Sequence, residues 1–451
     1  MLDRLSPHPR LVRTVCSWRR HVVMCALVAA GTMYAPPSWS QEKQQAPSHS
    51  ASGHDELASA GGLRVTLQYA IQRAVRHGPE LGPAQASLRG VTEAQRRSRA
   101  LLTTPPRLEL ALGPRIGSER GLDASAGLWQ DFPLSGVGAA RRRVANARRL
   151  AADLEIEDAK TSAALASGLA WVEARLAREF VKLHSRRLSE AERLEQVTVT
   201  RRDAGDATAG QVASARAIVG AARAAIVDAE GQRFAADAAL SYALGLGPER
   251  RIEAVGSLER DGPTASEASA LSAVQSHPRL RRLTADARTL TEVSEMTRAE
   301  GVPALAVGPS VTREATGDWI VLGRLSVPLP VVNSNAFEVA EQRRTALVAR
   351  AQVRRERARL QSQARVLFHE LGHARRVRDA LKRDALAPAQ AALKEALLRY
   401  QAGKTDLSEV LTARSALLEV EERRLMAAAN AQIAELRLRA VTGKILQGGS
   451  Q

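Results

Sequence analysis

The chain has 451 residues and a formal net charge of +17, and although 45% of it is hydrophobic only 3% is aromatic. Ala, Leu and Val therefore carry most of the apolar share, the composition of long, thinly packed helices rather than of one thick globular core. No proline falls between Pro133 and Pro248, and Pro388 is the only one after Pro330, so the frequent turn signals of alternating βα enzymes are missing.

Residues 1–40 read as a secretory signal. Arg4, Arg10, Arg13, Arg19 and Arg20 form a basic start, 22–35 is a short apolar run, and Ser38-Trp39-Ser40 before Gln41 supplies small residues at a cleavage point. The run is too short for a transmembrane helix. Cleavage removes those five Arg and Asp3, lowering the net charge by four to +13, and it removes Cys16 and Cys25, the chain's 2 cysteines. A mature chain without thiols excludes disulfide scaffolds, cysteine catalysis and cysteine metal sites. Cys25 lies inside the apolar run without the small-residue context of a lipidated cysteine. The Gln/Ser/His-rich stretch 41–62 reads as a flexible arm.

The rest repeats itself. Gly205 in RRDAGDAT and Gly403 in RYQAGKTD are 198 residues apart, and so are Gly245 and Gly443, which close the following helical runs. Upstream, Gly113-Pro114 matches Gly308-Pro309 and Phe132-Pro133-Leu134 matches Val327-Pro328-Leu329, both at an offset of 195, while Pro79 matches Pro278 at 199. Common offsets argue for a duplicated unit, with a first repeat over 63–250, a linker over 251–264, a second repeat over 265–443 and a tail over 444–451.

Each unit reads helix, strand, strand, long helix, turn, helix. In the first, Thr66 caps a short helix ending at His77, a helix covers 79–102, and strands cover 106–113, where Leu108, Leu110 and Leu112 alternate with Arg107, Glu109 and Ala111, and 126–132, with Trp129 and Phe132. In the second, a helix over 278–301 precedes strands over 303–311 and 319–327. Alternation in the last puts Trp319, Val321, Leu325 and Val327 on one face and Ile320, Arg324 and Ser326 on the other. Four strands in all cannot close a barrel, since the smallest have about eight.

At about 1.5 Å per residue, 137–203 makes a helix of roughly 100 Å, nearly matched by 208–245 (about 57 Å) and 79–102 (about 36 Å) placed end to end. The second unit repeats the balance, with 334–402 against 405–443 plus 278–301. Such a rod, open-sheeted at one end and turning at Gly205 and Gly403 at the other, cannot bury its apolar stripes within one chain and must oligomerise.

On these residues the sequence resembles the TolC-type outer-membrane efflux proteins. The duplicated unit, QDFPLSGVGAARRR at 130–143 and LLRYQAGKTDLSEVLTARSALLEVE at 397–421 carry the resemblance, and FPLSG followed by a basic helix is most similar to the heavy-metal cation efflux branch. The resemblance implies a mainly α fold with a small β part. Three chains would share a twelve-stranded transmembrane barrel and a long α-helical tunnel in the periplasm. It implies a homotrimeric outer-membrane export channel, without catalysis or cofactor, opened by a periplasmic adaptor and a proton-driven inner-membrane pump.

Carried over residue by residue, the resemblance makes Gly205, Gly403, Lys404 and Thr405 the periplasmic tip that meets the adaptor. It makes Tyr400 and Glu409 part of pore closure, and Trp129, Phe132, Trp319, Val321 and Leu325 membrane-strand residues. The chain departs from the family where acids are usual, at Gln211 and Thr412.

His369-Glu370-Leu371-Gly372-His373 satisfies H-E-x-x-H, the helical zinc-protease pattern. It is set aside as a metal site, and His369 and His373 read as surface or packing histidines. Ala374-Arg375-Arg376-Val377 lacks the metzincin continuation, Arg365, Arg375 and Arg376 flank it, and the 198 offset puts Trp171 and Arg175 at the equivalent positions. Arg141-Arg142-Arg143, the 354–357 run and Arg423-Arg424 lack the aromatic interleaving of nucleic-acid binders and read as solvated helix faces. The alternatives to a channel are a pore-less periplasmic coiled-coil scaffold and, on the HELGH string alone, a zinc protease.

Overall fold

A computed structural model describes residues 62–100, 104–116, 120–247, 249–262, 266–329 and 335–447. The signal and arm assignments for 1–61 and the end of the tail, 448–451, lie outside the described residues.

The order is β1 (Leu63–Val65), α1 (Leu67–His77), α2 (Leu81–Arg97), β2 (Arg107–Arg115), β3 (Gly121–Pro133), α3 (Val137–Asp203), α4 (Ala209–Ala243), β4 (Ile252–Ala254), α5 (Glu267–Ala273), α6 (Pro278–Glu300), β5 (Ala304–Arg313), β6 (Trp319–Ser326), α7 (Ala336–Ala380), α8 (Leu386–Gln401) and α9 (Leu407–Val441). The expected order recurs twice, as α2-β2-β3-α3-α4 and α6-β5-β6-α7/α8-α9. Thr66 caps α1 as read, its hydroxyl accepting from the Tyr69 amide at 3.2 Å.

Two features of the sequence reading are corrected. The described residues hold six strands, because β1 and β4 pair in parallel, Leu63 with Ile252 through Val65 with Ala254. Three residues are too few for an alternation pattern to register. They place β4 inside the stretch read as a linker, with Ile252, Ala254 and Leu258 buried. The second long helix is also interrupted, by one π turn at Leu381–Ala385. Pro388 lies just beyond it and has no N–H for the carbonyl four residues back. Widening that turn relieves the clash of the proline ring with the Asp384 carbonyl.

α3 packs against α4 along one part and against α2 and α6 along another, while α7 packs against α6 and α9. Alanine makes these close approaches possible: Ala140, Ala152, Ala163, Ala164, Ala174 and Ala191 of α3 are all buried. The principal core gathers around Trp171, which is 2% exposed, with Val65, Leu240, Leu244, Ile252 and Leu436. Its indole donates to the Val65 carbonyl at 2.8 Å, so the buried ring leaves no orphaned donor. A second core, Leu194, Leu393, Ala396, Tyr400, Leu407, Val410 and Leu417, lies at the paired turns.

The four long strands form one antiparallel sheet in the order β2-β3-β5-β6, leaving β2 and β6 as open edges. In its register Leu110 opposes Ala126, Ala126 opposes Val311, and Val311 opposes Val321.

Candidate functional site

The first site is the sheet, because its two faces differ in chemistry and in exposure. Opposed residues share a face, so the register puts Leu108, Leu110, Leu112, Ala126, Leu128, Phe132, Val307, Val311, Trp319, Val321 and Leu325 together on one side. The other side carries Arg107, Glu109, Ser125, Asp131, Ser310, Thr312, Arg324 and Ser326. On the two inner strands the apolar side is the open one: Leu128 is 50% and Val307 40% exposed, whereas Gly127, Ala306, Gly308 and Ser310 on the polar side are buried, and the edge strand β6 is exposed on both sides. Soluble proteins arrange a half-buried sheet the other way round.

Polar pairs line the sheltered face, Arg107 with Asp131 at 3.0 Å and Arg115 with Asp123 and Glu314 at 3.2 and 2.8 Å. At the turn end of the open face the Arg313 guanidinium lies 5.7 Å from the Trp319 ring centre. Trp129 opposes Arg107 on the polar face at the helix-proximal end, and Trp319 opposes Arg313 on the apolar face at the far end.

The second site is the pair of helix reversals. Gly205 has φ +86° and Gly403 φ +70°, the left-handed conformation that glycine adopts without a Cβ penalty. Each closes a Schellman motif: Gly205 N–H donates to Arg202 and Asp206 N–H to Arg201, and Gly403 N–H to Tyr400 and Lys404 N–H to Arg399. Gly245 and Gly443 close the same motif, through Leu246 to Ser241 and Lys444 to Arg439, also at positive φ. All four glycines thus do one conformational task at positions 40 and 198 residues apart.

Arg201 joins the two reversals. Its guanidinium lies 4.4 Å from the Tyr400 ring centre and donates to the Tyr400 carbonyl at 2.7 Å and to the Asp206 carbonyl at 3.2 Å. Tyr400 is fully buried, and its hydroxyl donates to Thr198 at 3.2 Å, which itself donates to the Leu194 carbonyl at 2.8 Å. Its hydroxyl is engaged within its own chain, holding α8 to α3. Glu409 is half-exposed, 3.1 Å from Arg399, and accepts from the Thr405 hydroxyl. Lys404 and Thr405 are turn residues, Lys404 exposed and Thr405 half-buried.

Gln211 has a local explanation. It is the third helical residue after Thr208, and the two form a capping box: the Gln211 amide donates to the Thr208 hydroxyl at 3.2 Å and Gln211 Oε1 accepts from the Thr208 amide at 2.9 Å. Sequence reasoning missed Arg201 and Thr198, which carry no signal among 65 Lys and Arg residues and many helical Thr.

A third surface was also unread. Along α4, Ala213, Ala217, Gly220, Ala224, Val227, Gly231, Phe234, Ala238 and Tyr242 are all exposed. They recur every three or four residues, the spacing of a coiled-coil seam.

His369 and His373 are exposed on α7. Together with Glu370 they line a groove of about 510 Å³, closed on the other side by α9 through Asn430, Ile433 and Arg437.

No protein-family model matches the sequence, and no curated protein matches it. Solved structures do. The outer-membrane channel OprN superposes with a TM-score of 0.70 at 18% identity, covering 84% of this chain and 90% of that one. The outer-membrane protein VceC from Vibrio cholerae gives 0.68 at 17%, covering 84% and 96%. CusC, described in terms of transmembrane channel formation, gives 0.61 at 16%, covering 86% and 95%. The likeness is one of fold: the chain has the fold of the TolC-type outer-membrane channels.

Proposed function

We propose that the chain is one protomer of a homotrimeric outer-membrane efflux duct. Three four-stranded sheets would close one twelve-stranded barrel, and the helices would continue it as a tunnel into the periplasm. The observation that carries the reading is the inverted sheet, with Leu110, Val321, Leu325 and Trp319 open and Ser310 sheltered. In water this open apolar face would be an association site, and β2 and β6 would present unpaired backbone groups. Pairing β6 of one copy with β2 of the next satisfies every edge, as a lipid environment demands. The α4 stripe supports the same assembly, since a heptad seam takes a partner helix with left-handed supercoil.

The four equivalent Schellman glycines support descent from a duplicated unit, with halves at 63–250 and 265–443. On this reading the turns at Gly205 and Gly403, with Lys404 and Thr405, are the adaptor-contacting tip. Tyr400 and Glu409 take part in closure, Tyr400 as an internal clamp on α8. An adaptor and a proton-driven inner-membrane pump supply opening and energy, and the duct itself is passive. That solved structures of this fold are described as an outer-membrane channel and an outer membrane protein supports the location. The FPLSG string favours heavy-metal cations as cargo.

Membrane fractionation with planar-bilayer recording tests the reading. The protein should co-sediment with outer membrane and give discrete conductance steps. A periplasmic, non-conducting protein would favour the pore-less scaffold instead.

A further inference from the structure

We infer that His369 and His373 form a binding site for one borderline divalent transition-metal ion, Zn²⁺ or Ni²⁺, where α7 borders α9, with Glu267 of α5 as a third donor. The inference does not rest on the channel reading. Histidines four apart on one helix lie about 5–6 Å apart at Cβ and can both turn their imidazoles onto one ion. Both are exposed here and both line the α7/α9 groove of about 510 Å³, so ion and completing waters have room.

A packing role does not account for the pair. At the equivalent register of the first half, Trp171 is buried in the main core and Arg175 donates to the Gly256 carbonyl, so that half spends both positions on its own fold. His369 and His373 do neither. A third donor approaches His369 from α5, outside the lining of the groove: Glu267 Oε2 lies 3.8 Å from His369 Nε2. Two ligands on one tetrahedral ion at about 2.0–2.1 Å stand roughly 3.3 Å apart, so a shift of a few tenths of an ångström brings both onto it. Among the described residues no three ligating side chains are already gathered. The site is therefore a two-imidazole chelate that recruits a carboxylate, with water completing the shell.

Of the three flanking arginines that disfavour a cation, Arg365 and Arg375 are engaged in ion pairs and Arg376 is exposed. Arg365 pairs with Glu267 at 3.0 Å, and Arg375 pairs with Asp261 at 3.2 Å and Glu435 at 3.0 Å. Arg437 lines the groove from α9, with the Glu370 carboxylate on the facing α7 wall to offset its charge. The ion pair with Arg365 holds the Glu267 carboxylate in place. The open, water-rich coordination and the lack of a third His make this a binding site rather than a hydrolytic centre.

The experiment is calorimetric titration of Zn²⁺, and separately Ni²⁺, into the full mature protein in detergent, purified without a polyhistidine tag. One ion per chain should bind in the micromolar range. His369→Ala or His373→Ala should each weaken binding at least about tenfold, and Glu267→Gln on the order of tenfold. The double His variant should lose the site while keeping its helical circular dichroism. Undiminished binding by that folded double variant, or no binding to the unmodified protein at millimolar ion, would overturn the inference.

Discussion

The guanidinium of Arg201 lies over the ring of Tyr400, 4.4 Å from its centre, while donating to the same residue's carbonyl at 2.7 Å. One side chain at the end of α3 thus holds the last turn of α8 by both its ring and its backbone. A cation over an aromatic face and a charged hydrogen bond to a carbonyl together contribute on the order of 2 kcal/mol. Arg201→Ala should therefore release the turn without unfolding the helices, and its conductance in planar bilayers should exceed that of the parent. Tyr400→Phe removes only the bond to Thr198, about 1 kcal/mol, and should give a smaller increase. Equal conductance in all three proteins would remove the clamp from the account.

At Gly403 the backbone itself is the constraint. Its φ of +70° costs a side chain with a Cβ on the order of 1–2 kcal/mol, and a Cβ there meets only the Arg201 Nη2 atom, at 3.7 Å. Space is not the problem, so Gly403→Val should fold and assemble yet present a distorted reversal. The expected outcome is normal outer-membrane abundance with lost export and weaker cross-linking to the adaptor. Loss of abundance in step with export would mean that the turn matters for folding instead.

Much of this was legible in the sequence, for reasons that differ by element. α3 was bounded as Val137–Asp203 because proline is missing between a strand-ending Pro133 and Gly205, and Gly403 was found by its equal offset. The sheet faces followed from alternation in β2 and β6. What escaped lay in contacts between distant segments. β1 and β4 are too short for a pattern, and Arg201 gains its partner only when α3 and α8 meet. The π turn arises from a local compromise with Pro388. The α4 stripe is built largely of Ala and Gly, which read as helix filler until the structure left one side of them open.

The sheet predicts a difference between neighbouring residues at one depth. Val321 lies on the apolar face and Ile320 on the polar face beside Thr312. Val321→Arg places a charge against lipid at a cost of roughly 2–4 kcal/mol near the midplane, and Ile320→Arg places it in the lumen. Heat-modifiable trimers on semi-native gels should largely disappear for the first variant and persist for the second. The opposite result would require a register shifted by one residue.

His277 provides a pH dependence. Its Nδ1 accepts from the Arg279 amide at 3.1 Å, capping α6, and burial holds its pKa below the ordinary imidazole value despite the opposing pull of Asp158. Between that lowered pKa and the ordinary value near 6.5, the unfolded chain binds more protons than the folded one, so stability rises with pH across the window. It is lost as pH falls below about 6.5, and protonation also removes the acceptor that caps α6. His277→Asn keeps a capping acceptor that does not titrate. Its melting temperature should fall less between pH 7 and pH 5.5 than that of the parent, and an identical fall would exclude His277 as the cause.

One chain alone leaves β2 and β6 as open edges of an apolar-faced sheet. The most direct measurement is the polypeptide mass of the detergent-solubilised particle, by light scattering with the micelle subtracted. Three chains per particle is the result that the account predicts, and a well-folded single chain would contradict it.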